Sequence, residues 1–152
     1  MNRRFGPPPN ADRYYVPRPG AYAVVVAPGG LLVTFQERPK PEFQLPGGGI
    51  DPGESSLPAL RREILEETGF TIQRPRRLGM FHRFTYMPEY DVWAQKQCHI
   101  YLAMVGRKLG PPQEPGHLAI VIPWDTARSA LAVDGDRYFV GLAGAVLRGG
   151  RS

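Results

Sequence analysis

The chain has 152 residues, of which 42% are hydrophobic and 22% charged, a composition that fits one folded domain and excludes a wholly disordered chain. No apolar run approaches the roughly 18 residues needed to cross a bilayer, and the N-terminus lacks the apolar segment of a secretory signal. The formal net charge is +5, yet acidic residues crowd into residues 48–70. This distribution predicts an acidic site within a basic surface that attracts an anionic ligand.

The N-terminal half is predicted to begin with a proline-rich arm and to continue as a β-hairpin. Residues 1–20 hold five prolines and are expected to be extended, in front of a single domain over residues 21–148. Ala21–Ala27 is rich in valine and predicts a strand, and Leu31–Gln36 is its hairpin partner after a Pro-Gly-Gly turn. A loop is then expected as far as the glycine run Gly47–Gly49.

A helix is predicted after this loop, with boundaries marked by local residues. Ser55 can serve as the N-cap, and Gly69 is a natural residue to follow the last turn. Leu57, Leu60 and Ile64 recur at helical spacing and therefore predict a buried stripe. The acidic residues of the segment fall beside this stripe, where they can line a groove.

The C-terminal half is predicted to contain further strands and two helices. Arg77–Tyr86 and Val92–Val105 are expected to pair as a second hairpin, followed by a strand at Leu118–Ile122. Helices are expected from Asp125 to about Ala132 and from Asp134 through Leu147. Strands and helices mixed in this way predict the α/β class.

Three glutamates, Glu63, Glu66 and Glu67, share one side of the predicted helix at spacings of three and four. Like charges at these spacings destabilise a helix by about 0.2–0.5 kcal/mol per pair. A cluster of carboxylate oxygens is also the kind of site that holds Mg²⁺ or Mn²⁺, and a bound cation would turn the repulsion into binding energy. Arg62 can pair with Glu54 and so fix the preceding loop to the helix.

These residues belong to one continuous motif over residues 48–70. It reads Gly48, five residues, Glu54, seven residues, Arg62-Glu63-Ile64, one residue, Glu66-Glu67, one residue and Gly69-Phe70. This pattern resembles the signature of the Nudix hydrolases, because all seven fixed residues are present and Ile64 and Phe70 occupy the apolar positions. The resemblance, with the order of elements around it, implies an α/β/α sandwich with a mixed central β-sheet.

The resemblance implies hydrolysis of a phosphoanhydride bond in a nucleoside diphosphate linked to another group. A nucleoside triphosphate, a dinucleotide and a nucleotide sugar are substrates of this kind. It also implies that Glu63, Glu66 and Glu67 bind Mg²⁺, with Mn²⁺ as the alternative. The carbonyl of Gly47, just before the motif, is expected to complete the metal shell.

The resemblance also assigns roles to residues around the metal. Arg62 and Glu54 match residues that orient the site. The general base stays open between Glu66 and Glu63, because relatives differ in which carboxylate accepts the proton, and some place it outside the motif. Glu114, in a loop before a predicted strand, is the candidate for such an outside ligand or base. Weaker alternatives in the second hairpin turn are Glu89 and Asp91.

Substrate contacts are expected outside the motif. Arg38, after the second strand, can reach a phosphate. His99 and Tyr101 lie on the polar face of a predicted strand, where they can stack on a base. The expected substrate is therefore a small nucleotide, and residues that choose among nucleotides lie in loops that the motif does not cover.

Two other functions and two general properties complete the expectations. The basic remainder of the chain also suits removal of pyrophosphate from the 5′ end of RNA. A nucleotide-sensing domain without turnover is the third function, although such domains usually lack one of the motif carboxylates. Cys98 is the only cysteine, which favours a reducing cytoplasm. A homodimer through the N-terminal arm is expected only by analogy.

Overall fold

The computed structural model describes residues 3–38 and 40–149, and these residues form eight strands and three helices. Residues 1, 2, 39 and 150–152 lie outside the described residues, so the expected arm is seen only from Arg3 onward. In chain order the elements are β1 (Arg3–Arg4), β2 (Val16–Ala27), β3 (Gly30–Gln36), β4 (Glu42–Gln44), β5 (Gly47–Gly49), α1 (Ser56–Thr68), β6 (Phe70–Met87), β7 (Val92–Lys108), β8 (His117–Ile122), α2 (Trp124–Ala130) and α3 (Asp134–Gly149).

The strands form one mixed sheet in the order β1-β6-β7-β2-β3-β4, with β5 beside β2 and β8 beside β3. The centre of the sheet is a long parallel pair, in which β2 runs beside β7 from Val16–Ala94 to Val26–Met104. The β6–β7 and β2–β3 pairs are antiparallel. The expected mixed central sheet is confirmed.

The side chains of β2 alternate between two hydrophobic cores, as the period of two in a strand requires. Ala23 and Val25 pack with Leu60 and Ile64 of α1 on one face of the sheet. Val24 packs on the other face in the cluster that contains side chains of α2 and α3. A helix on one face and two on the other make the α/β/α sandwich that the resemblance implies.

One side of β2 pairs with β7, and the other side pairs with β5 in the first half of the strand and with β3 in the second half. This arrangement places the motif beside the sheet. Gly20–Tyr22 pair with β5, whereas Val25–Ala27 pair with β3. Gly47 makes the close approach possible: its φ is +143°, and a Cβ there would lie 2.1 Å from the carbonyl oxygen of Ala21. The glycine strand β5, which contains the first residues of the motif, can therefore lie directly beside β2.

Strand β2 begins at Val16, earlier than the expected start at Ala21. Pro17 and Pro19 suggested an arm because proline removes a ladder donor. The carbonyl of Pro19 accepts the N–H of Ile50 at 3.0 Å, so the missing N–H lies on the edge beside β5 and leaves the ladder with β7 intact. Proline therefore does not exclude this segment from the sheet.

Other boundaries also differ from the expectations. The loop expected before Gly47–Gly49 contains β4, and the glycine run itself is β5. Strands β6 and β7 are both longer than predicted. Strand β6 starts directly after α1, at Phe70, and β7 continues to Lys108. The arm also packs on its own sheet, because Phe5 donates its N–H to the carbonyl of His82 at 3.0 Å and contacts Phe81 edge to face.

Asp136 should give the fold a pH dependence of stability. It lies in the first turn of α3 and is 7% exposed. Burial raises the pKa of its carboxyl from 3.8 to about 6, although Arg83 and Lys96 lower it. The folded chain therefore keeps a proton that the unfolded chain releases, and this makes stability fall as the pH rises from about 4 through 6. The expected loss is about 2–3 kcal/mol.

Chemical unfolding of the wild type and Asp136→Asn across this pH range measures the effect. The asparagine keeps the shape and the acceptor oxygen but carries no charge, so the variant should gain stability relative to the wild type as the pH rises. The wild-type-minus-variant difference is the relevant quantity, because other carboxyls titrate in both proteins. A difference that stays constant from about pH 4 to 7 would contradict the prediction.

Candidate active site

Helix α1 presents the three glutamates beside its buried stripe. Leu60 and Ile64 are fully buried, which fixes the rotation of the helix against the sheet. The helix follows Ser55, whose side chain makes no cap hydrogen bond among the described residues, and ends at Gly69 in the left-handed conformation with φ 78°. The Gly69 N–H donates to the carbonyl of Leu65 at 2.9 Å. The predicted boundaries of this helix therefore agree with the structure.

Arg62 joins the motif loop to the helix. Its Nε donates to Glu54 Oε2 and its Nη2 donates to Glu54 Oε1, both at 2.9 Å. The Arg62 hydrogen bonds, together with one from the Asp51 N–H, lower the pKa of Glu54 to about 2. Nη2 also donates to the carbonyl of Gly49 at 3.2 Å, and Nη1 donates to Glu63 Oε2 at 3.0 Å. This bidentate pairing is the loop-to-helix contact that the spacing predicts.

Glu67 is the most buried of the three helix carboxylates. It is 9% exposed, and its Oε1 accepts the N–H of Gly47 at 2.8 Å. Burial raises the pKa of Glu67 to about 8, with further upward contributions from the charges of Glu63, Glu114 and Glu66, against the lowering effect of the Gly47 hydrogen bond. Glu67 and Gly47 thus lie side by side next to the other carboxylates.

Glu114 joins the helix carboxylates from a separate loop. One oxygen each of Glu63, Glu66 and Glu114 lies within 4.8 Å of the others. The loop is tied to the helix, because the Gln113 N–H donates to the carbonyl of Glu66 at 2.7 Å. Among the described residues this is the group of acidic side chains placed to hold a metal ion.

The carboxylate cluster fits a hard divalent cation. Its donors are all oxygen, as Mg²⁺ and Mn²⁺ prefer, and burial raises the pKa of Glu63, with Glu66 and Glu114 adding to the rise against the opposing Arg62. Three carboxylates this close repel one another, and one arginine compensates only part of their charge. A cation at these oxygens would remove the excess repulsion.

A cavity of about 680 Å³ opens beside the cluster, between the motif loop, the first half of β2 and the tip of the β6–β7 hairpin. Its volume suits a nucleotide-sized ligand. Glu54 and Glu63 line it on the acidic side. The other walls carry cationic and aromatic side chains: Arg18, Tyr22, Tyr90 and Lys96.

The structure does not bring the predicted substrate residues to this cavity. Tyr101 is 7% exposed, packs with α1 and bonds through its hydroxyl to Ser56 Oγ at 2.5 Å. His99 lies on the same strand face, with its Nδ1 2.8 Å from Arg77 Nη2. Arg38 is exposed in the loop after β3. The polar face of β7 packs toward α1, so its side chains do not line this cavity, and a role for Arg38, His99 and Tyr101 in substrate binding stays a prediction.

The cavity residues on the opposite face were missed for an identifiable reason. Lys96 belongs to the same strand, β7, but its side chain projects from the face opposite that of His99 and Tyr101. Arg18 lies in the segment that its prolines predict to be an arm. The available signal was the pair of cations in two strands that the mixed sheet places side by side. That signal depends on the β2–β7 register, which the sequence alone does not specify.

The mixed sheet between helices defines an α/β/α domain. Carboxylate oxygens from α1 and from the loop before β8 form a cluster in it that is suited to a metal ion. Residues 16–141 match the NUDIX domain family, and the chain belongs to this family. Helices that combine the length and apolar character needed to cross a membrane are absent from the described residues.

Solved structures of the family share the fold. A NUDIX hydrolase from Nitrosomonas europaea superimposes with a TM-score of 0.66 at 20% identity, covering 89% of this chain and 90% of that chain. A MutT NUDIX hydrolase from Burkholderia pseudomallei gives a TM-score of 0.67 at 24% identity, covering 82% and 96%. At these identities the likeness establishes the architecture alone.

Curated relatives match over shorter segments. A Bacillus subtilis (strain 168) protein named "Putative 8-oxo-dGTP diphosphatase" is 36% identical over 74 residues, 49% of this chain and 50% of that protein. An RNA pyrophosphohydrolase of Cereibacter sphaeroides (strain ATCC 17029 / ATH 2.4.9) is 41% identical over 59 residues, 38% of this chain and 36% of that protein. The matched part thus spans half or less of these relatives.

Gly48→Ala should weaken metal binding without a comparable loss of stability. A Cβ at Gly48 would lie 2.3 Å from Glu63 Oε1, so the carboxylate must move away from the cluster. Titration with Mn²⁺, followed by electron paramagnetic resonance, should show affinity reduced by roughly tenfold or more.

Gly49→Ala is the matched control, because a Cβ at the next position in the same strand meets no atom within 4 Å. Its Mn²⁺ affinity should stay close to that of the wild type. Equal affinity in Gly48→Ala and Gly49→Ala would show that the position of Glu63 does not control metal binding.

Proposed function

We propose that the protein is a Mg²⁺-dependent pyrophosphohydrolase, with Mn²⁺ as the alternative cation. Its substrate is a nucleoside diphosphate linked to another group, and the bond cleaved is a phosphoanhydride. The observation that carries this proposal is the convergence of Glu63, Glu66 and Glu114 oxygens within 4.8 Å beside a nucleotide-sized cavity. Carboxylates from the helix and from a separate loop meet there, and such a set of oxygen ligands can hold the divalent cation that assists phosphate hydrolysis.

The chain's own residues supply orientation and proton transfer. A divalent cation at the cluster supplies charge neutralisation for phosphate oxygens and makes a nearby water more acidic. Arg62 holds Glu63 through Nη1 and keeps the helix fixed to the motif loop. Glu63 or Glu66 accepts the proton of the attacking water, because both carboxylates lie at the cluster.

Glu67 and Gly47 complete the proposed site. Their hydrogen bond places the Gly47 backbone beside the carboxylates, and this supports the expectation that the Gly47 carbonyl and Glu67 contribute to the metal shell. Glu54 acts through Arg62, as its two oxygens hold the guanidinium. We therefore assign metal binding to the four helix and loop carboxylates, and orientation to Arg62 and Glu54.

A small nucleotide is the favoured substrate, and the 5′ end of RNA is the second candidate. The relative named RNA pyrophosphohydrolase and the cations that line the cavity support the second candidate. The RNA reaction should weaken steeply with added salt, because phosphate contacts release counterions. A sensing domain without turnover is disfavoured, because the motif retains all its carboxylates.

We place the reaction in the cytoplasm, where the free and buried Cys98 would remain reduced. The homodimer stays a prediction. The N-terminal arm, from Arg3 onward, contacts the sheet of its own chain through β1 and Phe5. An exchange of this arm between two chains is the form of dimer that the fold most readily allows.

A nucleotide panel assayed with Mg²⁺ and with Mn²⁺ tests the proposed function. At least one nucleotide should yield a nucleoside monophosphate or a phosphate product. Glu66→Gln and Glu67→Gln should each lower the rate by roughly 100-fold or more, because each removes a carboxylate from the site. Mass spectrometry of the products identifies the bond that is cleaved.

Glu37→Gln is the matched control, because Glu37 is exposed after β3 and lies outside the cluster and the cavity. Circular dichroism and thermal unfolding should show that all three variants stay folded. Full activity in both Glu66→Gln and Glu67→Gln, or nucleotide binding without turnover across the whole panel, would overturn the proposal.

A further inference from the structure

Three cations occupy neighbouring positions across three strands of the sheet, on the face opposite α1. Arg18 of β2 is the register partner of Lys96 of β7, and Lys96 is the register partner of Arg83 of β6. Directly paired residues in adjacent strands project from the same face. We name Arg83, Lys96 and Arg18 the cationic row.

Like charges at paired positions destabilise a sheet unless an anion lies between them. Asp136 compensates one end of the row: although its burial raises the pKa of the carboxyl, the charges of Arg83 and Lys96 lower it. Neither Lys96 nor Arg18 forms an ion pair within 4.0 Å among the described residues. The Asp136 carboxyl therefore compensates Arg83 and Lys96, whereas Arg18 is not among the charges that lower its pKa.

Arg18 forms the open end of the row. Its Nε is buried and has no hydrogen-bond partner within the described part of the chain, whereas buried N–H groups normally find an acceptor. The guanidinium lies over the ring of Tyr90, 4.6 Å from the centroid, which holds its plane in place. A ligand in the cavity can supply the acceptor that this donor lacks.

The cavity connects this end of the row to the catalytic carboxylates. Arg18 and Lys96 line the same cavity of about 680 Å³ as Glu63, so one ligand of nucleotide size can contact both sides. The carboxylate side accepts a cation, and the row accepts an anion. A guanidinium fork next to an ammonium group is a pairing that suits the charge and oxygen geometry of phosphate.

We propose that Arg18 and Lys96 bind a phosphate group of the substrate other than the phosphates held at the carboxylate cluster. This rests on the proposed function and narrows it to substrates that carry such a further phosphate. Two sources fit the same chemistry: the terminal phosphate of a nucleoside triphosphate, and an internucleotide phosphate next to the 5′ end of RNA. Nucleotide sugars with only two joined phosphates lack this group.

Binding of inorganic pyrophosphate in EDTA, measured by calorimetry, tests the row without turnover. Without a divalent cation the carboxylate cluster repels this probe, so binding reports the cationic row. Arg18→Gln and Lys96→Gln should each weaken binding by about tenfold or more, as loss of a charge-assisted hydrogen bond does. Arg18→Lys should retain part of the affinity because it keeps the charge.

Arg13→Gln is the matched control, because Arg13 is exposed and also lies over an aromatic ring, that of Trp93 at 3.7 Å, but does not line the cavity. Its pyrophosphate affinity should equal that of the wild type. Thermal unfolding checks that each variant is folded. Equal affinity in the wild type, Arg18→Gln and Lys96→Gln, or no pyrophosphate binding by the wild type, would overturn the inference.

Kinetics with Mg²⁺ on three substrates then identify the source of the phosphate. If it is the terminal phosphate, Arg18→Gln should raise KM for a nucleoside triphosphate and for a 5′-triphosphate oligoribonucleotide, with little change for a nucleotide sugar. If it is the internucleotide phosphate, only the oligoribonucleotide should be affected. Equal KM increases for all three substrates would contradict the inference.

The two experiments separate the inference from the function on which it rests. A wild type that turns over no substrate but binds pyrophosphate through Arg18 would refute the pyrophosphohydrolase proposal and retain the anion site. A wild type that hydrolyses nucleotides with KM values insensitive to Arg18→Gln and Lys96→Gln would retain the function and refute the anion site.

Discussion

The Arg62 guanidinium is the contact on which the site depends. It bonds to both oxygens of Glu54, to the Gly49 carbonyl and to Glu63, and so it joins a loop and a helix that like charges would otherwise drive apart. A lysine ammonium could not make the same set of bonds, because it lacks the planar fork. One positive charge among several carboxylates leaves the site acidic enough to hold a cation, while the loop stays in place.

Close backbone contacts bring the other parts of the site to α1. At Gly48 a Cβ would collide with Glu63, and at Gly69 it would lie 2.0 Å from the carbonyl oxygen of Gly110. The first contact sets the distance between β5 and the helix, and the second brings the loop after β7 to the helix end. Glu114 reaches the cluster because this loop docks there. These glycines are therefore structural requirements of the carboxylate arrangement.

The sequence predicts this site better than it predicts the cavity. Local rules locate α1, since Ser55, Gly69 and the Leu60–Ile64 stripe depend on near neighbours, and the motif spacing predicts the Arg62–Glu54 pair. The faces of β7 were also separable by alternation, but alternation does not say which face α1 covers. Alternation therefore predicts Tyr101 in the cleft, whereas the structure buries this side chain against α1. Arg18 was missed because its partner Lys96 is far away in the sequence.

The parallel pairing of β2 with β7 has a consequence for how the protein folds. Partners such as Val16 and Ala94 are separated by more than half of the chain, so the central ladder cannot form from local contacts. The chain loses the loop-closure entropy before the ladder stabilises it. Folding should accordingly be slow for a domain of this size. Helix α1 with its carboxylates can form early. The cavity wall that carries Arg18 and Lys96 forms only once β2 and β7 have paired.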